Sequence, residues 1–454
     1  MTERIHRLLR RKFVQDTLAL QVGKVVTSAI AFLSSVLVLR LMGPSAFGVW
    51  TLAQSFFTLW QTPNLTGIGP STSTRLAIAI GARNEREILN NMAFYVKVAV
   101  AWGVFNTALL ALLGPPLAAN AYESGAHIGV LAVLLSLTLI PDALYVLVVI
   151  ALQARRSMRV VAVLQNANQL TLATCYVVAL LINPTAESMV AGRLVYSVTT
   201  MLMALAVYRR LRTQHTVRYP PIRAVLARAA TVPVRPYWRF GVANALDKNL
   251  SGMFTEIPTQ MVGILSGNVQ AGYLEAGFKG IMVVNQLMSA VFENMQAVIP
   301  QAVGRGDYTG LWRNFRRVLA VLVVGAAGFY GLFAIAAIFF APQVVALVYG
   351  DEYLAVAPLL PVVAMFGAVT TVGGIFGPLY RALRLMRRAI LVKLITLLVT
   401  FFPGIWLVQQ AGALGGAWMM NALFGLSVAL TAVAVLPELQ QRAIHHDLQM
   451  VSAE

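Results

Sequence analysis

The chain has 454 residues, 58% of them hydrophobic and only 11% charged, with a mean hydropathy of +0.73. Apolar runs this numerous exclude an ordinary soluble domain, and because they are continuous rather than alternating they select membrane-spanning helices over a barrel. The net charge of +18 does not indicate nucleic acid, since Lys and Arg gather at alternate helix ends, which is the asymmetry of membrane topology.

The N-terminal MTERIHRLLRRK has the character of a signal-peptide n-region. The apolar run after it is about 26 residues long and has no small-residue cleavage site, so it is expected to stay as the first helix. About twelve spans are predicted, near 13–40, 47–68, 88–113, 126–150, 160–182, 189–208, 240–265, 271–299, 311–340, 354–379, 389–408 and 413–436. The expected fold is all-α and polytopic. A first six-helix lobe covers 1–208, a basic linker 209–239, a second six-helix lobe 240–437 and a tail 438–454. Counting Lys and Arg along the connections puts both termini in the cytoplasm. The linker is broken by Pro220-Pro221, carries a short helical stretch at 224–230, and is expected to lie on anionic headgroups.

The two halves echo each other. At an offset of 224 positions Lys24 falls on Lys248, Gly43 on Gly267 and Gly48 on Gly272, so LMGPSAFG returns as LSGNVQAG. At nearly the same offset the charged turn GARNERE, opened by Gly81, returns as GRGDYTG, opened by Gly304. Repeats of this kind in membrane carriers point to a substrate path at their interface.

No catalytic or metal signature accompanies the spans. There is no GxxxxGK[ST], no Cys/His cluster and no disulfide framework, since Cys175 is the single cysteine and lies in a predicted span. The outer loops are too short to hold the acceptor of a glycan polymerase or ligase, and the first of them, 42–46, has no acid. No enzyme, cofactor or metal is therefore expected. What stands out is ionisable residues inside spans, which usually face an interior cavity. Lys24, Lys248 and Lys279 are candidate attractors of phosphate. Asp142, Asp247, Glu256 and Glu275 are candidates for H+ or Na+ coupling or for sugar contact, because no histidine lies deep within a span. Arg40, at the outer end of the first helix, fits a substrate role or an interfacial anchor. Glu275 and Lys279 are four apart and could pair with each other. Lys97 and Glu293 sit near helix ends, where snorkelling explains them. Pro258 and Gly263 are expected to interrupt the seventh span with a bend. LQNANQL at 164–170 reads as interhelical hydrogen bonding.

Several stretches spread through the chain carry a resemblance: LRLMGPSAFGVWTLAQS at 39–55, ILSGNVQAGYLEAGFK at 264–279, WRFG at 238–241, LYRALRLMRRAILV at 379–392 and AGALGGAWMMNAL at 411–423. Together they resemble the Wzx-like O-antigen and exopolysaccharide flippases, a branch of the multidrug/oligosaccharidyl-lipid/polysaccharide flippase superfamily. The resemblance implies two six-helix lobes around a V-shaped central cleft. It implies transfer of an undecaprenyl-pyrophosphate-linked oligosaccharide to the periplasmic leaflet of the bacterial inner membrane, commonly coupled to a cation gradient. A monomer working beside a glycan polymerase and a chain-length protein would fit it. A multidrug-type cation antiporter of the same superfamily is the alternative.

Overall fold

The computed structural model describes residues 2–61, 68–123, 125–155, 157–213, 219–234, 242–304 and 306–451. Among these the chain is helical throughout, with no strand. The long first helix α1 (Thr2–Trp60) holds most of the first two predicted spans. The outer loop expected at 42–46 is a single non-helical residue, Gly43, with φ 68° and ψ 164°. Only glycine takes that conformation without a steric cost, and Pro44 then restarts the helix, where its missing N–H is no loss.

Shorter helices follow: α2 (Ile68–Gly81), α3 (Glu85–Ala121), α4 (Ala126–Ser136), α5 (Leu139–Ala154), α6 (Met158–Ile182), α7 (Ala186–Leu211) and α8 (Ile222–Thr231). The second half has α9 (Val242–Ser266), α10 (Asn268–Gly304), α11 (Tyr308–Val348), a 3-10 turn (Asp351–Val356), α12 (Leu359–Gly373), α13 (Phe376–Ala382) and α14 (Met386–Val451). α14 joins the last two predicted spans across Gly412, again at positive φ (52°). Seven helical stretches among the described residues are long and apolar enough to cross a membrane. One of them, Met386–His445, is 60 residues long, enough for two crossings at about 1.5 Å per residue and about 30 Å of hydrocarbon. The protein is a multi-pass, all-α membrane protein.

The echoed turns repeat in three dimensions. Arg83 and Gly306 both have positive φ (52° and 75°). In each case the next residue, Asn84 or Asp307, donates its N–H to a carbonyl five positions back (Ala79 O, 3.0 Å; Ala302 O, 3.2 Å). Each then caps the following helix, Asn84 accepting from the Glu87 N–H at 3.0 Å and Asp307 from the Gly310 N–H at 2.8 Å. Gly43 and Gly267 likewise share positive φ (68° and 85°).

The chain divides into two compact units, Met1–Met42 with Phe56–Ala245, and Gly43–Ser55 with Leu246–Glu454. The core of the first gathers Leu76, Ile88, Met92, Phe94, Leu147, Leu152, Leu164 and Tyr208. A separate core in the second gathers Ile299, Leu311, Phe315, Phe376, Leu379 and Leu439.

The linker helix is packed on the first unit. α8 buries Val225 and Ala229 within the first unit. The Arg228 Nε donates to Asn90 Oδ1 (2.9 Å). The Tyr219 hydroxyl donates to Ala151 O (2.6 Å), and the Arg155 guanidinium covers the Tyr219 ring at 3.5 Å. The Lys97 Nζ donates to Ala230 O (3.2 Å) and Val232 O (3.0 Å), putting a cation at the negative end of α8. Lys97→Met should remove both charge-assisted bonds and weaken α8 docking by roughly 1.5–3 kcal/mol. Hydrogen exchange should then speed up over 222–234; unchanged protection there would count against the anchor.

α9 carries Pro258 and Gly263 inside one continuous helix. Gly263 makes room for a neighbour, since a Cβ on it would stand 2.2 Å from Leu52 Cδ2. LQNANQL behaves as predicted: the Thr27 hydroxyl donates to Asn166 Oδ1, and the Tyr196 hydroxyl to Asn168 Oδ1 at 3.0 Å.

Candidate functional site

Among the described residues, the second unit holds the most enclosed carboxylate. Asp247, on the second turn of α9, is 1% exposed, a position an isolated carboxylate could not hold ionised. Three side chains from two other elements close on it. From α13, the Tyr380 hydroxyl donates to Oδ2 at 2.8 Å and lies 3.1 Å from Oδ1, while Arg381 Nη2 donates to Oδ2 at 3.2 Å. From α14, the Lys393 ammonium pairs with Oδ1 and donates to the Asp247 carbonyl at 3.0 Å and to the Ser251 hydroxyl at 2.7 Å. Both carboxylate oxygens are therefore satisfied. One acid faces two cations, which leaves the cluster with surplus positive charge. Arg381 remains half open on its outer side.

A polar stripe continues from Lys393 along α14, where Thr396 and Thr400 are buried and bond back to Val392 O and Thr396 O. On α9, Thr259 and Gln260 are buried, and the Gln260 amide donates to Leu52 O (3.3 Å). Glu256 is half-buried on the same helix, within hydrogen-bonding reach of Ser55 and electrostatic range of Glu275 and Lys279. Glu275 and Lys279 on α10 pair with each other at 2.5 Å, the arrangement their four-residue spacing allowed.

The remaining candidates scatter. Lys248 is exposed while its neighbour Asp247 is enclosed, as expected of adjacent positions about 100° apart on a helix. Arg40 is exposed on α1. The side chains of Lys24 and Glu293, and the whole of 238–241, lie outside the described residues.

In the first unit Asp142 sits in the first turn of α5, where the helix dipole favours a carboxylate. Arg193 Nη2 pairs with its Oδ2 at 2.6 Å, and the Ser197 hydroxyl donates to Oδ1 at 2.7 Å. The Arg193 guanidinium also lies 4.7 Å from the Tyr196 ring centre. Asp142 is thus held in a one-to-one ion pair.

Sequence reasoning missed Tyr380, Arg381, Lys393 and Arg193. The three cations were counted with the loop charges that set topology. A usable signal existed for Lys393: it stands alone in the apolar run AILVKLITLLV, and a lone cation there calls for a partner.

The family model described as polysaccharide biosynthesis protein matches residues 37–358, well over half of the chain. The chain belongs to that family. Solved structures with the same fold agree with it. An inward-facing multidrug-resistance transporter of the MATE family superposes with a TM-score of 0.70 at 14% identity, over 92% of this chain and 95% of that one. A transporter of the same superfamily from Pyrococcus furiosus, noted for a binding pocket of reversed polarity, gives 0.67 at 13% identity, over 95% and 96%. The eukaryotic MATE transporter AtDTX14 gives 0.62 at 15% identity, over 96% and 99%. No curated protein sequence matches the chain. This member of the polysaccharide biosynthesis family thus has the fold of a superfamily of transporters. The family match covers Asp142, Asp247, Glu256 and Glu275 but ends before Tyr380, Arg381 and Lys393.

Proposed function

We propose that this protein carries an undecaprenyl-pyrophosphate-linked oligosaccharide from the cytoplasmic to the periplasmic leaflet of the bacterial inner membrane, by alternating access coupled to H+ or Na+. The reading rests on one observation above the family match: the Asp247 cluster sets one carboxylate against two cations. A surplus positive charge in low dielectric attracts a phosphate-bearing headgroup, and a guanidinium matches its oxygens in pairs. Lys24, Arg40, Lys248 and Lys279 are assigned to attraction of the pyrophosphate, with Arg381 added to them. Asp142, Asp247, Glu256 and Glu275 are assigned to ion coupling or sugar contact. Asp247 would exchange its internal partner Lys393 for an external cation as the transporter cycles.

A fluorescent lipid-linked glycan, followed to the outer leaflet in cells lacking the protein and in cells restored with variants, tests this. Restoration by the native chain and at least a tenfold loss in Lys24→Ala/Lys248→Ala, at equal protein level, are expected. Normal transfer in that double variant would remove the two lysines from the site. A second reading, a cation antiporter for drugs, is favoured by the likeness to multidrug-resistance transporters. It predicts drug sensitivity with intact surface glycan in the deletion strain, whereas the leading reading predicts glycan loss with unchanged drug tolerance.

A further inference from the structure

At the start of α11 the chain places Arg313, Arg316 and Arg317 within five residues, and all three are exposed. With Thr309 and Trp312 they line a pocket of about 460 Å³, within the size range of small-molecule sites. No acid lines it. Among the described residues no carboxylate lies within ion-pairing distance of the three guanidinium groups. The acid on the neighbouring stretch of α14, Glu438, is already held by Arg388 and Arg442, each at 3.1 Å. The Arg316 guanidinium lies 5.6 Å from the Trp312 ring centre, so the indole helps to fix one wall. The floor is rigid, because Leu311 and Phe315 are buried in the core of the second unit.

What lies beyond the pocket identifies its occupant. One to two turns further along α11, Val321 and Val324 are 66% and 73% exposed, and Leu332, Ile338 and Phe339 continue the same apolar surface. Only 11% of the most apolar window of this helix is buried, so α11 faces hydrocarbon. The pocket therefore sits about 6–12 Å below the start of an acyl-chain surface, which is headgroup depth. A soluble anion would use the arginines and leave that surface idle; a lipid uses both.

We propose that this pocket binds the headgroup of an anionic phospholipid, with its phosphate held by Arg313, Arg316 and Arg317 and its acyl chains laid along Val321 and Val324. The site is separate from the Asp247 cluster and does not depend on the transported cargo. It recruits a bulk lipid as a fixed component of the second unit.

The test uses the full chain in nanodiscs of phosphatidylcholine with or without phosphatidylglycerol. Retention of phosphatidylglycerol through delipidation, read by native mass spectrometry, should fall at least about tenfold in Arg313→Gln/Arg316→Gln/Arg317→Gln. The three side chains are exposed, so melting in pure phosphatidylcholine should stay unchanged. A second readout needs no loss of charge. Phosphatidylglycerol with brominated acyl chains should quench Trp312 fluorescence, seen as a difference from Trp312→Phe, more strongly than brominated phosphatidylcholine. Equal retention by the triple variant, or equal quenching by the two lipids, would overturn the proposal. So would displacement by millimolar inorganic phosphate, which would mark a free-anion site. Displacement by a polyprenyl diphosphate at equal concentration would reassign the pocket to cargo and overturn it as well.

Discussion

Asp247→Ala should destabilise the protein by ~3–5 kcal/mol, because it strands Lys393 without its counter-charge. The ammonium keeps the Asp247 backbone carbonyl, the Ser251 hydroxyl and, at 5.8 Å, the Tyr380 ring, all of them neutral, in a site almost closed to solvent. Lys393→Met should cost less than that, since Arg381 and Tyr380 still hold the carboxylate. The double variant Asp247→Ala/Lys393→Met should be more stable than the two single losses added together, because it leaves neither charge alone. Thermal unfolding in detergent, followed by tryptophan fluorescence, measures all three. Strict additivity would show that the two charges do not stabilise each other. Asp247→Asn separates structure from coupling: it keeps the shape and an acceptor for Tyr380 but cannot exchange a cation. A folded Asp247→Asn that transports at the native rate would take the coupling role away from this residue.

The second large effect belongs to Gly48 and Gly272. A Cβ built on Gly48 would lie 1.9 Å from Asn268 O, and one on Gly272 would lie 2.4 Å from Pro44 O and 3.2 Å from Gly48 N. The two contacts are the same contact with the repeats exchanged, since Pro44 and Asn268, like Gly48 and Gly272, are 224 positions apart. Backbones meet here with nothing between them, the close approach that small residues permit between helices in a membrane. Neither backbone can rotate aside as a side chain could. Gly48→Ala and Gly272→Ala should each cost at least the ~1–3 kcal/mol typical of overpacking, and leucine at either position should prevent folding. Combining the alanines should cost less than their sum, as both force the same two segments apart. Gly325 and Gly328 are the controls: nothing lies within 4 Å of a Cβ there, and alanine should be neutral or slightly stabilising. Gly48→Ala/Gly272→Ala melting at the native temperature would refute the close-approach account.

The repeat shows how far one-dimensional reading reached. Matched glycines at 43 and 267 were visible as letters, and both prove to be left-handed residues. The turn after Gly81 and its partner after Gly304 share a hydrogen-bonding pattern that their low identity hid: Arg83 stands where the second copy has glycine, and Asn84 where it has aspartate. Asparagine and aspartate cap helices by the same oxygen, so chemistry survived where identity did not. The charged residues were less legible. Asp142 and Asp247 stood out because an acid in an apolar run is costly, yet their partners were hidden: Arg193 for Asp142, and Arg381 and the single lysine at 393 for Asp247, all counted as topology-setting charges. A positive charge near a helix end looks the same in sequence whether it faces headgroups, a carbonyl or a carboxylate. Lys97 and Lys393 took the second and third of these.

Composition and continuity of the apolar runs alone determined an all-helical, many-span membrane protein, because hydrocarbon leaves the backbone no other way to satisfy its hydrogen bonds. The motif stretches determined its kinship. Which helix segments pack together was decided only in three dimensions: residues 43–55 join the second unit although they continue the first helix. So was the question of which cations meet Asp247, a residue more than 130 positions away from them. Periodicity fixes the face on which a side chain lies, whereas pairing across that distance depends on how the folded chain brings separate helices into contact.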